Sequence, residues 1–176
     1  MARVTSYAGR RDPRFVAVHR GGLLDEPTHR LLAAWATDCA EHVLPLFAAA
    51  CPDDDRPARA IETARAWSRG EATVSDAREA AYAAHAAARE APDPVAREVA
   101  RACGHAVATA HMADHELGAP FYAILAVRRA SSASDARAAG ELECHWQRDR
   151  LPDAIRELVL SDQRLRRAKF QSVFDC

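Results

Sequence analysis

Leu31-Leu32-Ala33-Ala34-Trp35-Ala36-Thr37-Asp38-Cys39-Ala40-Glu41-His42-Val43-Leu44-Pro45-Leu46-Phe47 decides the fold class. Leu31, Leu32, Trp35, Cys39, His42, Val43 and Leu46 recur at the helical period and share one face, with Asp38 and Glu41 off it. The helix starts at Glu26, and Pro45, which removes a backbone donor, is expected to kink or split it. Downstream, a loop from Cys51 to Asp55 leads into a second helix that carries Pro57 in its first turn. Ala60, Ile61, Ala64, Trp67 and Ser68 form its packing face, and Gly70 caps its end. Thr73 with Asp76 reads as a capping box opening a third helix to Arg89. Asp93-Pro94 opens a fourth, expected to run to Leu117 and stop at Gly118.

A shorter helix follows Pro120, and past the polar linker Ser131–Ser134 another runs through Trp146 towards Arg150. Pro152 opens an amphipathic segment, Ser161-Asp162 starts a last short helix, and Phe170, Val173 and Phe174 are expected to dock the C-terminus. Residues 1–25 read as an arm with a short extended segment, Phe15-Val16-Ala17-Val18. The expectation is an all-α protein. A single compact domain over 26–176 holds about seven to eight helices as stacked antiparallel pairs, behind an N-terminal arm.

Composition sets the packing style. Of 176 residues 41 are alanine, the best helix former and a small one, so helices must approach closely. A chain of this length can bury roughly 70% of its unfolded surface in one core. No stretch near the length of a membrane span is free of charge, and no apolar segment follows the polar start, which predicts a cytoplasmic protein. The net charge of −1 argues against nucleic-acid binding. The five cysteines, Cys39, Cys51, Cys103, Cys144 and Cys176, are scattered without a CxxC and read as thiols, not as a disulfide or zinc framework.

Histidines are the main chemical candidates. His111 and His115, four apart on the expected fourth helix, would lie one above the other as a two-histidine metal pair does. Their face also carries Gly104 and Ala108, small enough for a second helix to come close. Further ligands or an acid–base partner would come from His85, His105 or Glu62. The competing reading is of half-buried structural imidazoles, and no cofactor is expected on it. His42 reads as a satisfied core histidine, and an arginine is expected to stack on Trp146. No phosphate loop, nucleophile elbow or HExxH is present. Asp53, Asp54, Asp55 and Glu71 form a candidate negative rim for a basic partner, against the reading of a solvated helix start.

Several stretches carry a family likeness. His29-Arg-Leu-Leu-Ala-Ala-Trp-Ala, Cys39-Ala-Glu-His-Val-Leu-Pro-Leu-Phe47, Pro52-Asp-Asp-Asp-Arg-Pro57, Ala66-Trp-Ser-Arg-Gly-Glu71, Ala84-His-Ala-Ala-Ala-Arg89 and Ala102-Cys-Gly-His-Ala resemble immunity proteins of bacterial polymorphic toxin systems, over about residues 28–130. Residues 131–176, with Cys144-His-Trp-Gln-Arg-Asp-Arg-Leu-Pro, look like the helical extension of an actinobacterial branch. The resemblance implies an all-helical cytoplasmic protein that neutralises a cognate toxin by binding it, without a catalytic motif. The alternative is a helical enzyme or small-molecule binder of specialised metabolism with His85, His105, His111 and His115 around an interhelical pocket. The sequence leaves a homodimer open.

Overall fold

The computed structural model describes residues 11–176, so Arg3, Arg10 and the rest of the arm's first ten residues lie outside the described residues. Seven helices follow in order: α1 (Glu26–Ala50), α2 (Arg56–Ser68), α3 (Val74–Glu90), α4 (Pro94–Ala108), α5 (Gly118–Ala130), α6 (Ala136–Asp149) and α7 (Asp153–Leu165). Among the described residues there is no strand, and one isolated bridge joins Ala17 and Leu24.

Local chemistry starts these helices. Asp25 accepts from the Thr28 amide at 2.8 Å to open α1, and Asp93 accepts from the Ala96 amide at 2.9 Å to open α4. The Thr73–Asp76 capping box forms in both directions. Gly70, at φ 80°, turns the chain after α2 in the left-handed region that favours glycine.

The alanines are segregated. One core, between α1, α2, α3, α4 and α5, is built almost wholly from alanine with Val43, Phe47, Ile61, Val99 and Val107. The other holds the large side chains, among them Phe15, Leu32, Trp35, Leu117, Ile124, Ile155 and Phe170. Each consecutive pair from α1 to α6 packs together, and α4 lies at the centre, touching α1, α2, α3 and α5. Its Ala96, Val99, Ala102, Cys103, Gly104 and Ala106 are all buried, which suits a helix covered on both sides.

Several expectations are corrected. Pro45 does not split α1, because the carbonyl it leaves without a donor, that of Glu41, is on the exposed side where water can serve it. α4 stops at Ala108, not Leu117. Thr109 turns its hydroxyl back to the His105 carbonyl at 3.1 Å, Met112 N closes on Ala108 O, and a 3-10 turn over Ala113–His115 follows. Gly118 therefore begins α5, with Pro120 in its first turn, where a missing donor costs nothing. α7 continues through Ser161-Asp162 because Ser161 back-bonds to Leu158 O and Asp162 is taken by Arg166, so neither caps.

The expected extended segment 15–18 is shorter than that: Val16 is extended and Ala17 makes the bridge to Leu24, while Phe15 and Val18 belong to the 3-10 turns Pro13–Phe15 and Val18–Arg20 on either side. Finally, Cys144 and Cys176 form a disulfide, leaving Cys39, Cys51 and Cys103 free. The pairing joins positions 32 apart, a spacing with no motif to announce it.

Candidate functional site

The four singled-out histidines converge. His85 comes from α3, His105 from α4, and His111 and His115 from the turn between α4 and α5. Their rings form a row: His85–His105 centroids are 5.2 Å apart, His105–His115 5.5 Å, and His115–His111 5.5 Å. Tyr122 of α5 stacks beside His105 at 5.2 Å. Glycines make room for the row. A Cβ on Gly104 would fall 2.7 Å from the His85 ring, and one on Gly118 would fall 2.5 Å from that of His105.

Burial pushes all four imidazoles below their ordinary value, His105 furthest, to about 3, so at neutral pH the row is uncharged. Nearby like charges add to this at His85 and His105 (His85, His115, Arg101 and Lys169 among them), while Asp114 partly opposes it at His111 and His115. The Nδ1 atoms of His105 and His111 are buried without a hydrogen-bond partner. Glu62 is exposed on α2 and does not line the clefts that hold these histidines. Among the described residues, no group of three or more His, Cys, Asp or Glu is arranged to hold a metal ion.

The row spans two openings. His105 and His115 border a cleft of about 320 Å³ with Tyr122, Phe121, Arg166 and Phe170. His111 borders a larger, mostly apolar cavity of about 660 Å³, walled by Phe15, Leu24, His29, Trp67 and Val74. There the His29 Nε2–H donates to Thr109 O at 2.6 Å and its ring meets the Trp67 edge at 4.8 Å. Chemically, neutral imidazoles offer one donor and one acceptor each, suited to binding an uncharged polar group.

A second constellation lies on the α1–α6 seam. The Arg150 guanidinium stacks 3.8 Å above Trp146, as the sequence led us to expect. On the indole's other side lies His42, 3.6 Å away and within 4° of parallel. His42 Nδ1 pairs with the buried Glu143 at 2.9 Å. His42 is thus satisfied, but its side chain is 40% exposed, so it lies at the rim and not in the core. The sequence signal missed was the i, i+4, i+8 stripe Leu142, Trp146, Arg150, whose first member is 70% exposed.

The acidic candidates do not share one rim. Asp53 and Asp55 are exposed before α2, and Asp54 is bound by Arg56, which also holds Glu90. Glu71 follows the far end of α2 and pairs with Arg69 at 2.6 Å. The helix between them is 13 residues long, a rise of about 20 Å.

The fold defines the class first: an all-α protein of stacked helices around one central helix. A family model described as "Imm-5 like putative immunity protein" matches residues 22–154, and the chain belongs to that family. No curated protein and no solved structure matches it. No helix among the described residues is long and apolar enough to cross a membrane.

Proposed function

We propose that this chain is an immunity protein that binds a cognate bacterial toxin in the cytoplasm of its producer and neutralises it without catalysis. The observation that carries the reading is the family match over residues 22–154, from just before α1 to the start of α7. The described scaffold supports it. Buried alanine faces pack α1 to α5 together and side-chain caps open α1, α3 and α4, and a preorganised surface loses little freedom on binding. With a near-neutral chain, affinity would come from shape and a few anchoring side chains more than from long-range steering.

The test is co-expression with the toxin domain encoded by the neighbouring gene, followed by calorimetry on the purified pair. Restored growth with a stoichiometric complex supports the reading. A toxin that kills regardless and shows no association removes it.

The convergence of His85, His105, His111 and His115 favours a second reading, a small-molecule-binding or enzymatic role at the row. Elemental analysis and imidazole NMR under a small-molecule screen test it. Stoichiometric metal or a specific shift of these four rings supports it, and neither appearing rejects it.

A further inference from the structure

We infer that the α6 stripe Leu142–Trp146–Arg150, braced by His42, is the anchor through which the chain grips its toxin, and that it receives a carboxylate flanked by apolar surface. The inference rests on the immunity reading and specifies the face and the partner chemistry.

The Arg150 guanidinium carbon sits 3.8 Å from the centre of the Trp146 ring, a cation–π contact at an exposed position just past the end of α6. Several other arginines are paired within the chain, Arg65 with Asp38 and Glu41, Arg137 with Glu141, Arg164 with Glu157. Arg150 has no ion pair among the described residues, and its only described partner is the indole. A planar guanidinium seated on an indole and without an ion pair can offer two parallel N–H donors to a carboxylate.

Trp146 is itself immobilised. The parallel His42 ring backs it at 3.6 Å, and His42 is tethered to Glu143. Glu143 in turn accepts from Gln147 Nε2 at 2.9 Å, so the brace is rooted in buried polar contacts. One turn before Trp146, Leu142 stands 70% exposed, a large apolar side chain without cover. Trp and Arg side by side are residue types enriched in binding hot spots, and the exposed leucine one turn away adds apolar surface beside them. The stripe also lies wholly inside residues 22–154, whereas the wall of the His105 cleft formed by residues 166–171 lies outside them.

The test uses the full chain and the neighbouring gene's toxin domain, with its active site disabled. Calorimetry is run on wild type, Arg150→Glu, Arg150→Lys and Leu142→Ala, with melting curves to confirm that each variant folds. Arg150→Glu and Leu142→Ala are expected to weaken binding by about 30-fold or more. Arg150→Lys should lose about tenfold, because an ammonium neither stacks flat nor forks. Binding untouched by all three, but abolished by Asp53→Lys or Glu71→Lys, overturns the inference and leaves the immunity reading standing. A wild-type dimer that Leu142→Ala converts to monomer without weakening toxin binding also overturns it, by giving the face to a second copy. Failure of the wild type itself to bind removes the immunity reading, and this inference with it.

Discussion

Arg166 and Glu116, fifty positions apart, meet in the interior: one guanidinium nitrogen lies 2.9 and 3.0 Å from the two oxygens of a fully buried carboxyl. Asp162, one turn before Arg166, accepts from its Nε at 2.8 Å. Two acidic groups therefore share one cation out of water. Burial, aided by the nearby Asp162, raises Glu116 well above the usual carboxylate range despite Arg166. Its folded value lies above its unfolded one, so stability falls as pH rises beyond the ordinary carboxylate range. Glu116→Gln, which mimics the protonated form, should change stability by no more than about 1 kcal/mol and flatten that decline. Asp162→Asn leaves Glu116 as the remaining acidic partner of Arg166, so the double variant, which strands the buried guanidinium, should cost about 3–5 kcal/mol, more than the singles summed. Additive losses in urea titrations would refute this sharing.

Acid should weaken the protein through the imidazole row. His105 is pushed down to about 3 by burial, whereas in the unfolded chain it titrates near its model value of 6.5. Between those values the unfolded state binds a proton that the folded state does not, so stability falls as pH drops from 6.5 towards 3. The slope from one such group approaches about 1.4 kcal/mol per pH unit. His85 and His115 shift the same way and steepen it. Urea midpoints between pH 7 and pH 4.5 measure the effect, and His105→Asn should reduce the slope. An unchanged slope in that variant would show that the row is not its source.

Gly104 should owe its identity to His85. A methyl there would come within 2.7 to 2.9 Å of three ring atoms, so Gly104→Ala must displace the imidazole and its contact with His105. Overpacking costs about 1–3 kcal/mol, partly offset by about 1 kcal/mol of helix propensity. The expected net effect is a loss. In a His85→Ala background the clash is gone and the same substitution should stabilise, a change of sign that thermal melts can read directly.

How much of this was legible depended on how local the cause was. Thr73 with Asp76 and Asp93 with Pro94 act within one turn, and their helices begin where the sequence says they do. His85, His105, His111 and His115 could be named as a group, but not by the geometry that unites them. The expected i, i+4 pair needed α4 to continue, and it ends at Ala108. What holds the following turn lies far away: Arg166 binds Asp114 O at 2.9 Å, and His29 binds Thr109 O. Similarly, Arg150 on Trp146 is one helical turn and readable, while His42 reaches the same indole from α1. Partners across the fold leave no period in the chain.

The Cys144–Cys176 disulfide gives the last expectation. It ties residue 176 to buried Cys144 on α6, across 32 positions. The segment it closes is also held without it, since Phe170, Val173 and Phe174 are buried and Arg148 donates to the Phe174 and Cys176 carbonyls. Reduction should therefore loosen the closure without unfolding the tail. A loop of this length predicts a loss of about 2–4 kcal/mol from the unfolded-state entropy, or about 5–15 °C in melting temperature for a domain of this size. Cys176→Ser should reproduce that loss and be insensitive to further reductant, while far-UV circular dichroism stays unchanged. Labelling under denaturing conditions should find the three free thiols Cys39, Cys51 and Cys103 before reduction, and all five cysteines after it. Five labelled thiols without reductant would mean that the bond does not form in the purified protein, leaving the tail to its apolar contacts and Arg148 alone.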